Sequence, residues 1–318
     1  MTAIKPSLSR RLFVQAAASL TGAGILGVGL KEGVFAHNGH DATPAAGAYP
    51  EAVYTAKEYV IEGPTSLESG FQTITLKNNG AMDHHVMFMK LNEGKTLADL
   101  AAAKDLPSLL AAIVSYGGPG SIGAGQSVSV ILDLAAGDYV LACLIPDADG
   151  VPHMAKGMVL PLTVTQATGE ALPAPQEDAT VELTEYSFHN FPKTVTTGQH
   201  LWKVPNIGAQ LHEVAIYKLA DGVTSDQALA ILGAPADSMP GMDMGTPGAT
   251  AGADMGAPTP SEPPFVSVAG VAPIFPKEVN WLKVDFAPGN YLAVCFIPDP
   301  ESGAPHFALG MAMPFSVS

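Results

Sequence analysis

The amino-acid sequence predicts an all-β protein made of two tandem β-sandwiches with short inserted helices. The chain has 318 residues, which is enough for two domains that each bury a core. It contains 33 Gly and 27 Pro, and its apolar residues come in short runs, as expected of strands joined by many turns. Two blocks of sequence also recur along the chain, which indicates one structural unit used twice.

The first block combines an Asn-x-Gly-Ala turn with a following His and an apolar strand. Its members are Asn78, Gly80, Ala81, His84, Val86, Lys90 and Leu91, and in the second copy Asn206, Gly208, Ala209, His212, Val214, Lys218 and Leu219. The second block has a Gly-x-Tyr before a Cys, and then a His and a Met with four residues between them. Its members are Gly137, Tyr139, Cys143, His153 and Met158, and in the second copy Gly289, Tyr291, Cys295, His306 and Met311.

Apolar and alternating runs bounded by turn residues predict six strands in each copy. They are 59–61, 71–76, 84–91, 128–134, 139–144 and 159–165 in the first copy, and 180–186, 201–204, 212–219, 279–286, 291–297 and 312–317 in the second. Ala- and Leu-rich segments between the blocks predict inserted helices at 96–103, 109–114 and 225–232, the first with Thr96 as N-cap.

The repeats and the local composition predict the domain organisation. In order along the chain, we expect a signal peptide at 1–36, a disordered tether at 37–55, a first sandwich at 56–168, a linker at 169–178 and a second sandwich at 179–318. The Gly-, Pro- and Met-rich segment 233–264 is predicted to be a flexible insertion in the second sandwich.

The N-terminus predicts export. Arg10 and Arg11, followed by an apolar stretch and a small-residue sequence ending at Ala36, are typical of a twin-arginine signal. The apolar stretch is short for a membrane span, so we expect a cleaved signal. The mature protein would then be periplasmic or extracellular and would have no membrane span. An uncleaved membrane anchor is the alternative.

The order of the chemically important residues resembles the cupredoxin family of blue copper proteins, to which plastocyanin and azurin belong. The resemblance covers roughly residues 57–165 and 180–317, and it rests on the early His, the Gly-x-Tyr-x-x-x-Cys and the final His and Met. It implies a Greek-key sandwich with one type 1 copper site in each copy. The implied ligands are His84, Cys143, His153 and Met158 in the first copy, and His212, Cys295, His306 and Met311 in the second.

The residue types suit this metal, because a blue copper site takes two imidazoles and a thiolate, with a weak axial thioether. Of the adjacent His84 and His85, His84 aligns with His212 and is the expected ligand. Neighbouring strand residues face opposite ways, so His85, which aligns with Glu213, is expected to point outward.

Cys143 and Cys295 are the two cysteines of the chain. A disulfide is the usual interpretation of such a pair in an exported protein. Their equivalent positions in the two copies favour separate metal sites instead. Asn78 and Asn206 resemble the family's asparagine that forms hydrogen bonds near the cysteine and so supports the ligands.

The sequence predicts an electron carrier rather than an enzyme. Neither Cys has a neighbouring His to link a blue site to a catalytic copper, and no nucleophile motif or phosphate loop is present. The resemblance implies that the electron leaves through His153 or His306 at an apolar rim. A copper storage or delivery protein, suggested by the Met and Asp residues of 233–264, and a metal-free scaffold are the alternatives.

The net charge of −15 narrows the expected partners. Nucleic acid is excluded, because phosphate binding needs a basic surface. A redox protein or a copper donor with a basic surface is expected instead.

Overall fold

β-Strands form most of the described chain, which confirms the predicted all-β class with short helices. The computed structural model describes residues 49–103, 106–233 and 263–318. The predicted signal peptide at 1–36 and nearly all of the predicted insertion at 233–264 lie outside the described residues. The described residues belong to one compact unit, and the domain boundaries within it stay a prediction.

We call residues 49–168 the first half. Its strands are β1 (Glu51–Lys57), β2 (Val60–Glu62), β3 (Ser66–Glu68), β4 (Gly70–Asn78), β5 (Met87–Leu91), β6 (Ile113–Ser115), β7 (Ser127–Leu134), β8 (Gly137–Ala142) and β9 (Val159–Thr165). Its helices are α1 (Leu97–Ala102), α2 (Leu106–Leu110) and a one-turn 3₁₀ helix (His153–Lys156).

We call residues 179–318 the second half. Its strands are β10 (Ala179–Thr180), β11 (Glu182–Thr184), β12 (Ser187–His189), β13 (Thr194–Val195), β14 (Gly198–Pro205), β15 (His212–Leu219), β16 (Phe265–Ile274), β17 (Val279–Phe286), β18 (Gly289–Val294) and β19 (Ala312–Val317). Its helices are α3 (Ser225–Leu232) and a one-turn 3₁₀ helix (His306–Leu309).

Each half is a two-layer sandwich, and one of the layers is common to both. A seven-stranded sheet of order β10-β14-β17-β7-β4-β1-β2, which we call the shared sheet, takes strands from both halves. The opposite layer has the order β3-β9-β8-β5-β6 in the first half and β13-β19-β18-β15-β16 in the second. β11 and β12 form a separate hairpin in the second half.

The halves join along a seam that passes through both layers. In the shared sheet β7 pairs antiparallel with β17, and Ser129 lies opposite Lys283. In the other layer the segment 116–122 bonds to β16, and the Gly120 N–H donates to the Gly270 carbonyl at 3.0 Å. A Cβ on Gly120 would collide with the backbone of β16, so the close approach of the two segments requires glycine.

One apolar core runs through the seam into both halves. It contains large side chains such as Tyr54 and Phe88 in the first half and Trp202 and Phe286 in the second. Both cysteines and both predicted methionine ligands belong to it. Removal of this apolar surface from water stabilises the sandwich at about 25 cal/mol per Å².

Two of the three predicted helices are confirmed, and the third differs from its predicted range. Thr96 and Thr224 are the N-caps of α1 and α3. Each forms a capping box with the third helical residue. The helix predicted at 109–114 is wrong in its second part, because α2 ends at Leu110 and β6 follows. The alternating burial along β6 favours a strand, which pairs with β5.

The tether predicted at 37–55 is wrong for its last residues. β1 occupies this stretch and runs parallel to β4. Ala52, Tyr54 and Ala56 are buried on alternate positions, so one face of the strand joins the core. Residues 37–48 lie outside the described part of the chain.

Several predicted strands are confirmed at both ends, among them β9, β15, β17 and β19. β16 was not predicted, because it follows directly on the segment interpreted as an insertion. None of the helices in the described ranges has the length and apolar character needed to cross a bilayer.

Candidate metal centres

The first half brings together two histidines and a cysteine from three separate segments. His84 lies just before β5, Cys143 just after β8, and His153 begins the 3₁₀ helix. Cys143 Sγ lies 3.5 Å from His153 Nδ1, which lies 3.2 Å from His84 Nδ1. The three side chains are buried, and one ligand atom from each lies within 4.8 Å of the others.

The second half repeats this arrangement almost atom for atom. Cys295 Sγ lies 3.5 Å from His306 Nδ1, which lies 3.1 Å from His212 Nδ1. These three side chains are buried as well, and they form the second group of this kind among the described residues. In both halves Nδ1 of the outer histidine faces the thiol, and Nδ1 of the early histidine faces Nδ1 of the outer one, so the same nitrogen of each ring is available to a metal.

The predicted axial methionines lie in the same loops. Met158 is fully buried, and its backbone N–H donates to the His153 carbonyl at 3.1 Å while its carbonyl accepts from the Cys143 N–H at 3.3 Å. Met311 is buried in the same way and makes the equivalent backbone bonds. The structure therefore brings three of the four predicted ligands of each site into one cluster, and the role of the thioether stays a prediction.

The loop between the cysteine and the outer histidine is held by its own aspartate. Asp147 Oδ1 accepts from the N–H groups of Asp149 and Val151, at 2.9 and 3.0 Å. In the second half, Asp299 accepts from Glu301 and Ser302. Such side-chain-to-backbone bonds fix a turn that contains no secondary structure of its own.

Asn78 and Asn206 support the loop that carries the early histidine. Asn78 Nδ2 donates to the carbonyls of Met82 and Ile122, at 2.7 and 2.9 Å, and its Oδ1 accepts from the Gly80 N–H at 2.9 Å. Asn206 makes the same three bonds in the second half. The two side chains are buried and fully paired, so the hydrogen bonds that hold the Asn-x-Gly turn come from the protein itself.

Burial keeps the donor atoms of both sites uncharged. It lowers the pKa of His84 and of His212 to about 4, with a smaller contribution from the neighbouring histidine. It also raises the pKa of the Cys143 thiol to about 12 and raises that of Cys295. Neutral imidazoles and a thiol that ionises on metal binding are the ligand forms that a soft metal ion requires.

The chemistry of this donor set fits copper. Two imidazole nitrogens and one thiolate in a dry site are the set that blue copper centres use. The Nε2 atoms of His84, His153 and His212 are buried and have no hydrogen-bond partner among the described residues. Each half thus presents a compact group suited to binding copper.

No disulfide forms between the cysteines. Cys143 and Cys295 are both free and buried, and each lies in the metal group of its own half.

The prediction that His85 points outward is wrong. His85 is buried, and its Nε2 accepts the N–H of Leu144, the residue after Cys143, at 2.9 Å. Glu213 is buried at the equivalent position, and its Oε1 accepts from Phe296 at 3.1 Å. Both side chains therefore hold the backbone of the residue that follows the cysteine.

The outer histidines, through which the resemblance implies that the electron leaves, are not exposed to solvent. His153 is 1 % exposed and His306 is fully buried. The ring of Tyr59 packs edge-on against His153, with 5.4 Å between ring centroids, and Tyr186 covers His306 at 5.3 Å. A partner therefore meets the covering side chains before it meets the histidine.

The sequence analysis missed these tyrosines and the glutamate before each of them. Glu58 Oε1 accepts N–H bonds from Ala81 and Met82 and lies 4.0 Å from His84 Nε2. Glu185 does the same in the second half, 3.7 Å from His212 Nε2. The signal was present as a Glu-Tyr pair shortly before the Asn-x-Gly turn in both copies.

The two groups lie toward opposite ends of the seam. The first group adjoins the start of β7, where Asn78 bonds to Gln126, and the second adjoins the start of β17, where Asn206 bonds to Glu278. β7 and β17 are antiparallel. In the register of this pairing, the first residue of β7 and the first residue of β17 are about six residues apart, which is about 20 Å along the strands.

Comparison with known proteins gives matches only among solved structures. No protein-family model and no curated protein matches the sequence. One structural match is a multicopper oxidase at 16 % identity, covering 84 % of this chain and 88 % of that one, with a TM-score of 0.23. Another is auracyanin from Roseiflexus castenholzii at 23 % identity, covering 38 % and 99 %, with a TM-score of 0.27.

A third match is a copper-containing nitrite reductase from Thermus scotoductus, at 12 % identity, covering 84 % and 60 %, with a TM-score of 0.22. Two of these three proteins are enzymes and match most of the chain, which contradicts the prediction that this protein is not an enzyme. At these identities and TM-scores the matches assign no activity to it.

Proposed function

We propose that this protein is an exported copper protein that transfers electrons through two type 1 copper centres, one in each half. The observation that carries the proposal is the pair of buried groups in which two imidazole Nδ1 atoms and one thiol converge. A packing role alone would not require the same three donor atoms to meet at nearly the same distances in both halves.

The proposed ligands are the two histidines and the cysteine of each group, with Met158 and Met311 as axial thioethers. Copper bound there would cycle between Cu(I) and Cu(II). The surrounding residues would keep the ligands in one arrangement in both states, because paired asparagines and aspartates fix the loops that carry them. A fixed ligand frame lowers the cost of rearrangement during electron transfer.

Burial favours electron transfer over copper delivery. All six His and Cys ligands are nearly or fully buried, so handing copper to a partner would require the loop after the cysteine to open. An electron needs no such opening. The Met- and Asp-containing segment that suggested delivery lies outside the described residues.

The setting proposed for this activity is the periplasm or the cell exterior. The twin-arginine sequence at the N-terminus supports export. The net charge of −15 supports a redox partner with a basic surface, since opposite charges speed encounter.

The test is to load the mature protein with Cu(II) and to measure its bound copper and visible spectrum. We expect two copper ions per chain and an intense thiolate-to-copper band that a reductant bleaches and an oxidant restores. The control is the double variant Cys143→Ser/Cys295→Ser, which should fold but lack the band.

Two results would count against the proposal. A wild-type protein that binds no copper would leave the metal-free scaffold as the better description. Copper that binds but passes rapidly to a chelator, without reversible bleaching, would favour storage or delivery.

A further inference from the structure

A Glu-Tyr pair occupies the same kind of turn in both halves. Glu58 and Tyr59 connect β1 to β2, and Glu185 and Tyr186 connect β11 to β12. Tyr59 has a φ of +62° and Tyr186 a φ of +59°. Bulky residues rarely adopt this left-handed region, so its occurrence at both equivalent turns points to a constraint beyond the turn itself.

The glutamate of each pair faces the early histidine. Glu58 Oε1 is held by the N–H groups of Ala81 and Met82 and lies 4.0 Å from the buried Nε2 of His84. Nδ1 of this ring faces Nδ1 of the outer histidine and is the proposed ligand atom, so Nε2 is the atom that would carry the proton. A carboxylate near that atom favours this tautomer.

The glycine of each Asn-x-Gly turn leaves room for this contact. A Cβ on Gly80 would lie 2.6 Å from Glu58 Oε1 and 2.9 Å from His84 Nε2. A Cβ on Gly208 would lie 2.7 Å from Glu185 Oε1 and also 2.9 Å from the histidine Nε2 of its half. Any larger residue would separate the carboxylate from the histidine.

The tyrosine of each pair covers the outer histidine. Its ring packs edge-on against that imidazole, and its hydroxyl donates to the loop aspartate: Tyr59 to Asp147 at 3.4 Å and Tyr186 to Asp299 at 2.6 Å. One dipeptide thus contacts both histidines of its site, one through each side chain.

We propose that Glu58-Tyr59 and Glu185-Tyr186 are positioning pairs, in which the glutamate orients the early histidine and sets the reduction potential while the tyrosine seals the outer histidine from solvent. The inference rests on the proposed function of the two sites. A carboxylate near the imidazole stabilises the more positive Cu(II) state and therefore lowers the potential. A ring over the other imidazole slows the approach of water and chelators.

The glutamate is tested by potentiometry of single-site proteins. In a Cys295→Ser background only the first site gives the visible band, and Glu58→Gln is compared with its parent. Gln keeps an oxygen to accept the Ala81 and Met82 N–H bonds and removes only the charge. We expect a rise in potential that corresponds to about a tenfold change in the preference for Cu(I), which is 59 mV for one electron.

Glu68→Gln is the matched control, because Glu68 is an exposed residue of β3 with the same charge. The potential of this control should equal that of the parent. An unchanged potential in Glu58→Gln would overturn the role of the glutamate. A folded Glu58→Gln protein that no longer binds copper would support that role, since the ligand would have lost its orientation. Glu185→Gln in a Cys143→Ser background repeats the test for the second site.

The tyrosine is tested by the rate at which a chelator removes copper. Tyr59→Phe keeps the ring, whereas Tyr59→Gly removes it and also suits the left-handed backbone. We expect faster copper loss in Tyr59→Gly and little change in Tyr59→Phe. Equal rates in both variants and the parent would overturn the sealing role. The parent's copper content and visible band report separately on the proposed function.

Discussion

The two halves of the molecule hold the same ligand group in different surroundings. The distances between donor atoms agree within about 0.1 Å, yet the residues next to them differ in charge and polarity. The ligand frame therefore depends on features that both halves keep, namely the paired asparagine, the Glu-Tyr turn and the loop aspartate. The positions around this frame are free to differ.

The first difference concerns the residue after the early histidine. His85 is neutral in the folded first half, because burial lowers its pKa to about 3. In the second half burial raises the pKa of Glu213 to about 7, so a carboxyl group occupies the equivalent place. Both accept the same backbone N–H, but only one is an acid.

The second difference concerns the outer histidine. In the second half, His306 Nε2 lies 2.9 Å from Gln210 Oε1 and can donate to it, whereas the equivalent residue in the first half is Met82. At the surface, Lys156 forms an ion pair with Asp147, and the half-exposed Leu309 takes its place in the second half. We expect two centres of one type with different potentials and different outer surfaces.

The largest effect is expected when one of the two cysteines is replaced, because each variant then keeps a single centre. Cys143→Ser and Cys295→Ser should each remove one copper ion and roughly half of the intense band, because each site depends on its own thiolate. The two remaining spectra and potentials should not coincide. The measurement is copper content with visible spectroscopy and potentiometry of each variant. Indistinguishable spectra and potentials in the two variants would show that the different surroundings of the two centres do not affect the copper.

The next effect concerns the residue that fixes the cysteine backbone. His85→Ala leaves the partly buried N–H of Leu144 without a partner, which should lower the free energy of unfolding by about 1–3 kcal/mol. Glu213→Ala should cost less, since it also removes a carboxyl group whose burial is unfavourable. Urea unfolding of the metal-free proteins measures both. A larger loss of unfolding free energy in Glu213→Ala than in His85→Ala would contradict the view that burial of the Glu213 carboxyl group is unfavourable.

The same pair predicts opposite pH dependences in the metal-free protein. His85 takes up a proton near pH 6.5 when unfolded but only near pH 3 when folded, so its contribution to stability is lost as the pH falls between these values. Glu213 holds its proton up to about pH 7 when folded, against 4.5 when unfolded, so its contribution is lost as the pH rises through that range.

The measurement is the urea midpoint of the wild type relative to two variants from pH 4 to pH 8. Relative to His85→Gln, the wild type should lose stability toward acid. Relative to Glu213→Gln, it should lose stability toward neutral pH. The same sign for both comparisons would show that burial does not control these two groups.

The smallest effect is expected at the surface. Lys156→Leu and Leu309→Lys exchange the outer residues of the two halves without touching the ligands. In Lys156→Leu, an anionic reagent should reduce the first site more slowly, because one positive charge is lost from its surface. The rate should fall by less than tenfold, since a tenfold or larger change requires a whole charged surface. Stopped-flow reduction at low and high salt measures it. The effect should vanish at high salt, and a slowing that persists there would point to a structural change instead.

The sequence predicted which histidines and cysteines lie together, because both copies keep the same residue types at matching spacing. His84 and His212 were separable from their neighbours by alignment of the two copies. Alignment could not predict that His85 and Glu213 are buried, because a polar residue beside a ligand looks like a surface residue until its partner is known. That partner is a backbone N–H from the loop after the cysteine, which lies far away in the sequence.

The tyrosine rings that cover His153 and His306 were missed for a related reason. Tyr59 and Tyr186 lie on turns that precede the first repeated block, and the Glu-Tyr pair that recurs there does not by itself indicate that these turns pack against the metal loop. β1 was missed because Glu, Ala and Lys, which are depleted in strands, make up four of its seven residues. Its pairing with β4, which lies beyond β2 and β3 in the sequence, supplies the stability that the segment lacks alone.

The seam has a consequence for a chain whose backbone is cut between the halves. The stretch 168–174 is exposed and is accessible to a protease. The pairing of β7 with β17 and the bonds of segment 116–122 to β16 do not depend on that connection. A single nick there should yield two fragments that remain one particle and migrate together, carrying both candidate centres, until a denaturant separates them.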